Sequence, residues 1–482
     1  MRFFMNESLP LFSALQQHDR QHPVSFHVPG HKYGNVFPKA GTDYFANVLK
    51  LDATELSGLD DLHDPEGPIK KAQEFAAAFY GADETFFLVN GTTAGNLAMI
   101  FSVCGEDDVV LVQRNSHKSI MNGLQLSGAR PVFLVPDTEQ QTMTAGKVGA
   151  EAVREAIRRY PDARALILTH PSYYGLAWDL EEVIASAHDS NIPVLVDEAH
   201  GAHFAIGCPF PDSALQYGAD AVVQSAHKTL PAMTMASFLH VQGHRIDRDK
   251  LAHYLAMLQS SSPSYPLMAS LDLARYYIEK MKPNAAVIAS RSMEFREKLG
   301  QSSLLNIIDH AEGYRLDPLK VTVQPAGNIS GYMLHDILAE HRIFAELADP
   351  LNVLLVLPLS CDFPALEMAE RIIGALSKTP GLQGLNTHAF KQRRQADRLE
   401  ELPYSYHELK QFEMERIRFS QALGCIAAEP VIPYPPGIPL LQTGEQITMV
   451  HYNEVRNLAA HGTKFQAKHH PLDDGILVYS IK

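Results

Sequence analysis

Between residues 66 and 225, short apolar runs alternate with longer amphipathic ones. The runs are ETFFLV (84–89), DVVLVQ (108–113), PVFLVP (131–136), ALILT (165–169), IPVLVD (192–197) and DAVVQS (220–225). They are β-rich, short and nearly all apolar, so each predicts a strand covered on both faces. Between them, IKKAQEFAAAFYG (69–81) is closed by Gly81 and DLEEVIASAHDSN (179–191) is opened by an acidic turn; both predict helices. Strand–helix alternation repeated this often predicts a mostly parallel sheet with helices on both faces.

After about residue 275 the rhythm changes. A long helical region over roughly 266–299 leads to a smaller α/β unit with strands near LKVTVQP (319–325) and NVLLVLP (352–358). The stretch 379–410 is polar, with Lys391, Arg393 and Arg394 as a solvated basic cluster. The last module holds VIPYPPGIPLLQTGE (431–445), whose prolines predict a rigid loop. A chain of 482 residues is too long for one core. The expected division is an N-terminal arm (1–65), a large α/β domain (66–275), a small α/β domain (276–380), a linker (381–410) and a C-terminal domain (411–482).

A net charge of −14 argues against nucleic acid as a partner, because phosphate binding needs an excess of Lys and Arg. The same acidity suits a cationic small molecule. Cys104, Cys208, Cys361 and Cys425 are scattered, with no CxxC, which fits a reducing compartment better than a disulfide framework or a zinc site. No apolar run approaches a membrane span, and MRFFMNESLP turns polar too early for a secretory signal. The expected location is the cytoplasm.

In an open α/β sheet, ligands bind beyond the carboxyl ends of the strands. Three polar clusters fall at such ends. NGTTAGN (90–96) follows the first strand and opens a helix, where backbone N–H groups and the hydroxyls of Thr92 and Thr93 suit a phosphate; a simple helix cap is the competing account. VLVDEAHGAHF (194–204) puts Asp197 at the end of an apolar strand, where a carboxylate needs a cation or several donors. Asp197, His200 and His203 are close in sequence, but their spacing matches no metal motif. Lys228 ends the following strand, 31 residues after Asp197. A phosphate cradle, an aspartate and a lysine on strand ends are the set that pyridoxal 5′-phosphate requires: lysine for its aldehyde, aspartate for its ring nitrogen, a helix start for its phosphate.

Beyond these residues, the chain resembles the Orn/Lys/Arg decarboxylase family nearly end to end. The resemblance rests on FHVPGHK (26–32), GLDDLHDPEG (58–67), NGTTAGN, RNSHKS (114–119), VDEAHGAHF, SAHK (225–228), SSSPSYPLMASLD (260–272) and IPYPPGIP (432–439). It implies the fold-type-I, aspartate-aminotransferase-like architecture and decarboxylation of arginine, lysine or ornithine to an amine and CO2. The length resembles the short Gram-positive type. The resemblance makes Lys228 the cofactor-bearing lysine, Asp197 the partner of the pyridine nitrogen and His117 the imidazole stacked on the ring. It makes Thr92, Thr93, Ser225 and His227 phosphate contacts, with Ala94 and His200 also beside the cofactor. Ser261 and Ser262 match a segment that reaches the phosphate from a neighbouring subunit, so a homodimer or dimer-based assembly with shared sites is expected. An ordinary loop accounts equally for these two serines, and a capped helix start for His117.

Some positions depart from the family pattern. Pro231-Ala232 and Thr234-Met235 follow the lysine where many members have Gly/Ser and then Thr-Gln, and His170 replaces an asparagine in HPSYYG (170–175). These departures leave substrate choice open. An aminotransferase or lyase on the same fold, or a homologue that binds the cofactor without turnover, is the competing reading. For the substrate's distal cation, Asp60, Asp61, Asp64 and Glu198 are the candidate carboxylates.

Overall fold

The computed structural model describes residues 7–327, 329–379, 398–434, 437–460, 462–466 and 469–481. The basic cluster at Lys391, Arg393 and Arg394 lies outside the described residues. The chain divides into two compact units, residues 1–103, 195–207 and 212–283 in the first, and 104–194, 208–211 and 284–482 in the second.

The first unit carries the strands Glu84–Leu88, Ser237–Val241 and Ala221–Gln224, followed in sheet order by Val194–Asp197, which enters the unit at Leu195. Val194–Asp197 runs parallel to Ala221–Gln224, whereas Ser237–Val241 is antiparallel to both of its neighbours. Ala221–Gln224 and Ser237–Val241 are buried throughout, which explains their lack of a polar alternation. The helix Gly91–Val103 follows the first strand. It lies so close to the sheet that a Cβ on Gly95 would stand 2.6 Å from Val223 and 2.7 Å from Leu88.

The helix Pro10–Arg20 starts without a cap of its own, since Leu9 precedes it and Pro10 opens it. The cap comes from Asp272, whose Oδ2 accepts the N–H groups of Leu11 and Phe12, each at 3.1 Å. Its Oδ1 accepts from the buried Arg275 at 3.0 Å, and Arg275 also donates to the Ser8 carbonyl. One ion pair of the SSSPSYPLMASLD segment thereby anchors the N-terminal helix.

The second unit carries the strands Ala165–Thr169, Val109–Gln113, Arg130–Leu134 and Leu399–Glu401 in sheet order. Val109–Gln113 is parallel to both neighbours, and Leu399–Glu401 closes the edge antiparallel. A four-stranded antiparallel sheet, built on Lys320–Pro325 and Val353–Val356, packs with the helix Gly331–Glu340, and the helices Ala285–Leu299 and Ala365–Ser377 pack on each other. The C-terminal residues form a small core of their own around Phe419, Leu441, Val455 and Ile476.

The six expected strands are present with ends shifted by a residue or two, and the α/β class holds. Two differences stand out. The strand Ser237–Val241 follows the lysine segment directly and reverses the direction of pairing. The polar stretch read as a linker ends in structure: Leu399–Glu401 is a strand, and Tyr406–Leu409 is a helical turn with a Ser405–Glu408 capping box.

Candidate active site

Strand ends of the first unit gather most of the expected residues. Asp197 terminates its strand and is 3% exposed. Its Oδ2 accepts from Asn96 Nδ2 at 3.0 Å and its Oδ1 from the Ala199 N–H at 3.2 Å. Both donors are neutral, and among the described residues the carboxylate has no cationic partner. A buried carboxylate in that state is poised for a cation from outside the chain.

Lys228 sits in the four-residue helix Ala226–Thr229, which follows the strand Ala221–Gln224. Its Nζ stands 3.1 Å from His200 Nε2. The backbones are tied as well, because Ser225 N–H donates to Ala199 O at 3.3 Å. The hydroxyls of Thr92 and Ser225 are 3.2 Å apart, next to the N-terminal turn of Gly91–Val103. Thr93 is exposed on that turn and Ala94 is buried in it. His227 turns its Nδ1 to the Ala236 carbonyl at 3.2 Å. Thr229 keeps a buried hydroxyl with no hydrogen-bond partner among the described residues. Two clustered hydroxyls at a helix start, a buried carboxylate lacking a cation and a lysine beside an imidazole together fit pyridoxal phosphate.

His117 belongs to the second unit. It caps the helix Lys118–Ser127, with Nδ1 accepting from Ser119 N–H at 3.3 Å and lying 2.8 Å from Ser119 Oγ. Accepting through Nδ1 places the ring proton on Nε2 and fixes the ring. The cap and a stacking role are compatible, since the cap uses the in-plane Nδ1 lone pair and stacking uses the ring face. His170 is buried edge-on against Trp178 in the same unit. Ser261 and Ser262 are exposed in the loop before the helix Tyr265–Met281.

Two candidate carboxylates for a substrate cation are removed. Asp60 accepts from the N–H groups of Glu66, Gly67, Ile69 and Lys70, so it caps the helix Pro68–Tyr80. Glu198 is fully buried one residue past the end of the strand Val194–Asp197. It accepts from Ser213 Oγ (2.8 Å), Ala214 N–H (2.6 Å) and Gln224 Nε2 (2.7 Å). Gly201 is required beside it, because a Cβ there would lie 2.6 Å from Glu198 Cγ. The polar chain continues from Gln224 Oε1 to His240 Nε2 (3.2 Å) and from His240 Nδ1 to Thr85 Oγ1 (2.8 Å). Burial pushes Glu198 up to about 8 and His240 down to about 3. Asp61 accepts a local turn N–H, from His63, and Asp64 is exposed.

Comparison with known proteins identifies the family. The Orn/Lys/Arg decarboxylase major-domain model matches residues 9–363, and the C-terminal-domain model of the same family matches 384–467. The chain belongs to the Orn/Lys/Arg decarboxylase family. It is 46% identical to the uncharacterized protein YaaO of Bacillus subtilis, over 98% of both chains. It is 34% identical to an arginine decarboxylase of Bacillus anthracis, over 94% of this chain and 93% of that one. The Escherichia coli constitutive lysine decarboxylase structure matches with a TM-score of 0.81 at 20% identity, over 98% of this chain and 82% of that one. The class expected from the sequence, a pyridoxal-phosphate-dependent decarboxylase of fold type I, therefore holds.

Proposed function

We propose that this decarboxylase takes a basic amino acid, with arginine the first substrate to test, and forms the amine and CO2. The observation that carries the reading is the buried Asp197 carboxylate, without a cation of its own, in one unit with the Lys228–His200 pair. Thr92, Thr93, Ser225 and His227 hold the cofactor phosphate, with Ala94 beside the cofactor, helped by the start of the helix Gly91–Val103. Asp197 keeps a proton on the pyridine nitrogen, and Asn96 holds Asp197 in place. Pyridoxal phosphate, when bound, supplies the sink for the electron pair released as CO2 leaves Cα. Lys228 anchors the cofactor and afterwards delivers a proton to Cα. His117 keeps the ring-stacking role that the family resemblance gives it. The 34% identity to an arginine decarboxylase supports a guanidinium-bearing substrate.

The protein works in the cytoplasm as a homodimer. Support for the dimer comes from the N-terminal arm, where Val24, Phe26, Val28, Val36, Tyr44 and Phe45 are exposed, Phe26 at 95%. Apolar residues crowded onto one arm are suited to cover by a second copy. Ser261 and Ser262 reach the phosphate of the neighbouring subunit in this reading.

The test is to incubate purified protein and pyridoxal phosphate with arginine, lysine or ornithine, with and without an oxo acid, and to identify products by mass. CO2 and the amine without an oxo acid are expected. Amino transfer that requires an oxo acid, with no CO2, would overturn the reading.

A further inference from the structure

The contact between Lys228 and His200 has a chemical consequence. A lysine in water is an ammonium, which has three donors, no acceptor and no nucleophilic lone pair. Before it can bond to an aldehyde it must lose a proton. His200 Nε2 lies 3.1 Å from Lys228 Nζ, within hydrogen-bond reach, and His200 is only 7% exposed. Facing an ammonium, Nε2 can only accept, which places the ring proton on Nδ1. Imidazole is the side chain whose ordinary affinity suits transient proton storage near neutral pH.

The pair is built into the backbone. His200 lies in the turn closed by Gly201 N–H donating to Glu198 O at 2.9 Å. Lys228 lies in the turn closed by Lys228 N–H donating to Ser225 O and by Leu230 N–H donating to Ala226 O. The Ser225–Ala199 hydrogen bond joins the two turns. Nearby titratable groups on these segments have other engagements. The Asp197 carboxylate takes Asn96 and Ala199, His227 Nδ1 meets Ala236 O, and Glu198 faces Ser213, Ala214 and Gln224. His203 is buried with its ring edge-on to Phe204.

We propose that His200 is the proton acceptor that frees Lys228 to take up the cofactor, an inference that rests on the pyridoxal-phosphate reading above. His200 Nε2 removes one proton from the ammonium, and the neutral amine nitrogen bonds to the aldehyde carbon. The aldehyde oxygen then collects two protons, one returned by His200 and one from the nitrogen, and leaves as water. A C=N bond replaces the C=O bond, the third lysine proton stays on nitrogen, and nothing is oxidised or reduced. His200 ends as it began, so it accelerates attachment without altering its final extent.

The experiment strips the purified full-length protein of cofactor, adds pyridoxal phosphate and follows covalent attachment by borohydride reduction and intact mass across a pH series. Noncovalent docking is followed separately by fluorescence. His200→Gln keeps a polar side chain but cannot store a proton. Attachment is compared at saturating pyridoxal phosphate, so that any change in docking is separated from the rate. Attachment by the variant at neutral pH is expected to be at least about tenfold slower, within the range general-base catalysis supplies. Its rate is then expected to climb with pH until it meets the wild type where the lysine ionises unaided. Added imidazole is expected to restore the rate in His200→Gly. Attachment by His200→Gln at the wild-type rate and with the wild-type pH profile would overturn the proposal. If His200→Gln does not fold, His200→Asn is judged by the same two readings. Failure of the wild type itself to take up pyridoxal phosphate would instead count against the cofactor reading.

Discussion

Asn96 Nδ2 donates to Asp197 Oδ2 across 3.0 Å, joining the helix Gly91–Val103 to the end of the strand Val194–Asp197. The contact sets where the carboxylate points, while the carboxylate's charge determines what it can do for a pyridinium. Asp197→Asn separates the two. The variant is expected to fold and to bind pyridoxal phosphate, yet to lose on the order of 10²-fold or more in kcat, because the lost interaction matters most as charge develops in the transition state. Steady-state decarboxylation with the proposed substrate checks it, and a near-normal kcat would remove Asp197 from its assigned role. Asn96→Ala keeps the charge and loses only the positioning bond, so a smaller fall is expected.

Lys228 carries a sharper prediction. Borohydride treatment of the wild type with pyridoxal phosphate is expected to add one cofactor mass to a peptide containing Lys228. Lys228→Ala is expected to show no reducible attachment. A persistent attachment in that variant would assign the cofactor to another lysine.

The reach of the sequence can be judged residue by residue. The buried strands were legible because burial on both faces leaves an apolar signature of limited length. The antiparallel direction of Ser237–Val241 was not, because apolar runs read the same in either direction. Asn96 was passed over because it sits inside a helix whose other residues are small or apolar. Glu198 is adjacent to Asp197 in sequence, yet its carboxylate is taken by Ser213, Ala214 and Gln224. Asp60 is likewise an acidic residue that looks available in sequence and is occupied by five backbone N–H groups.

Asp272 gives a prediction about stability. Burial raises its carboxyl above the usual range, while Phe12 N–H, Arg275 and Leu11 N–H oppose that shift. Asp272→Ala would leave the Arg275 guanidinium buried without this partner and two helix N–H groups without an acceptor. Breaking a buried pair from one side costs roughly 3–5 kcal/mol. The variant is expected to melt earlier and to be cleaved faster within residues 7–20, as limited proteolysis with mass mapping would show. An unchanged melting temperature and cleavage rate would mean that the N-terminal helix is held by its apolar face alone.

The Glu198–Gln224–His240–Thr85 chain predicts the pH dependence of stability. Glu198 moves from 4.5 to about 8 on folding, so between those values the folded chain holds a proton that the unfolded chain has lost. Through that window stability falls as pH rises. His240 moves from 6.5 to about 3, so between those values the folded chain lacks a proton that the unfolded chain holds. Through that window stability falls as pH drops. The windows overlap from 4.5 to 6.5, where one extra proton and one missing proton cancel. The network's contribution is therefore flat there, declines from 6.5 toward about 8 because of Glu198, and declines from 4.5 toward about 3 because of His240. Glu198→Gln removes a titrating group, so it is expected to abolish the alkaline decline and, with the cancellation gone, to let the acid decline begin at 6.5 rather than 4.5. Melting temperatures across pH for wild type and variant test this. A uniform offset between the curves would show that Glu198 titrates alike in the folded and unfolded chains. A variant curve that is flat above 6.5 and falls from 6.5 toward about 3 would locate the buried proton at Glu198.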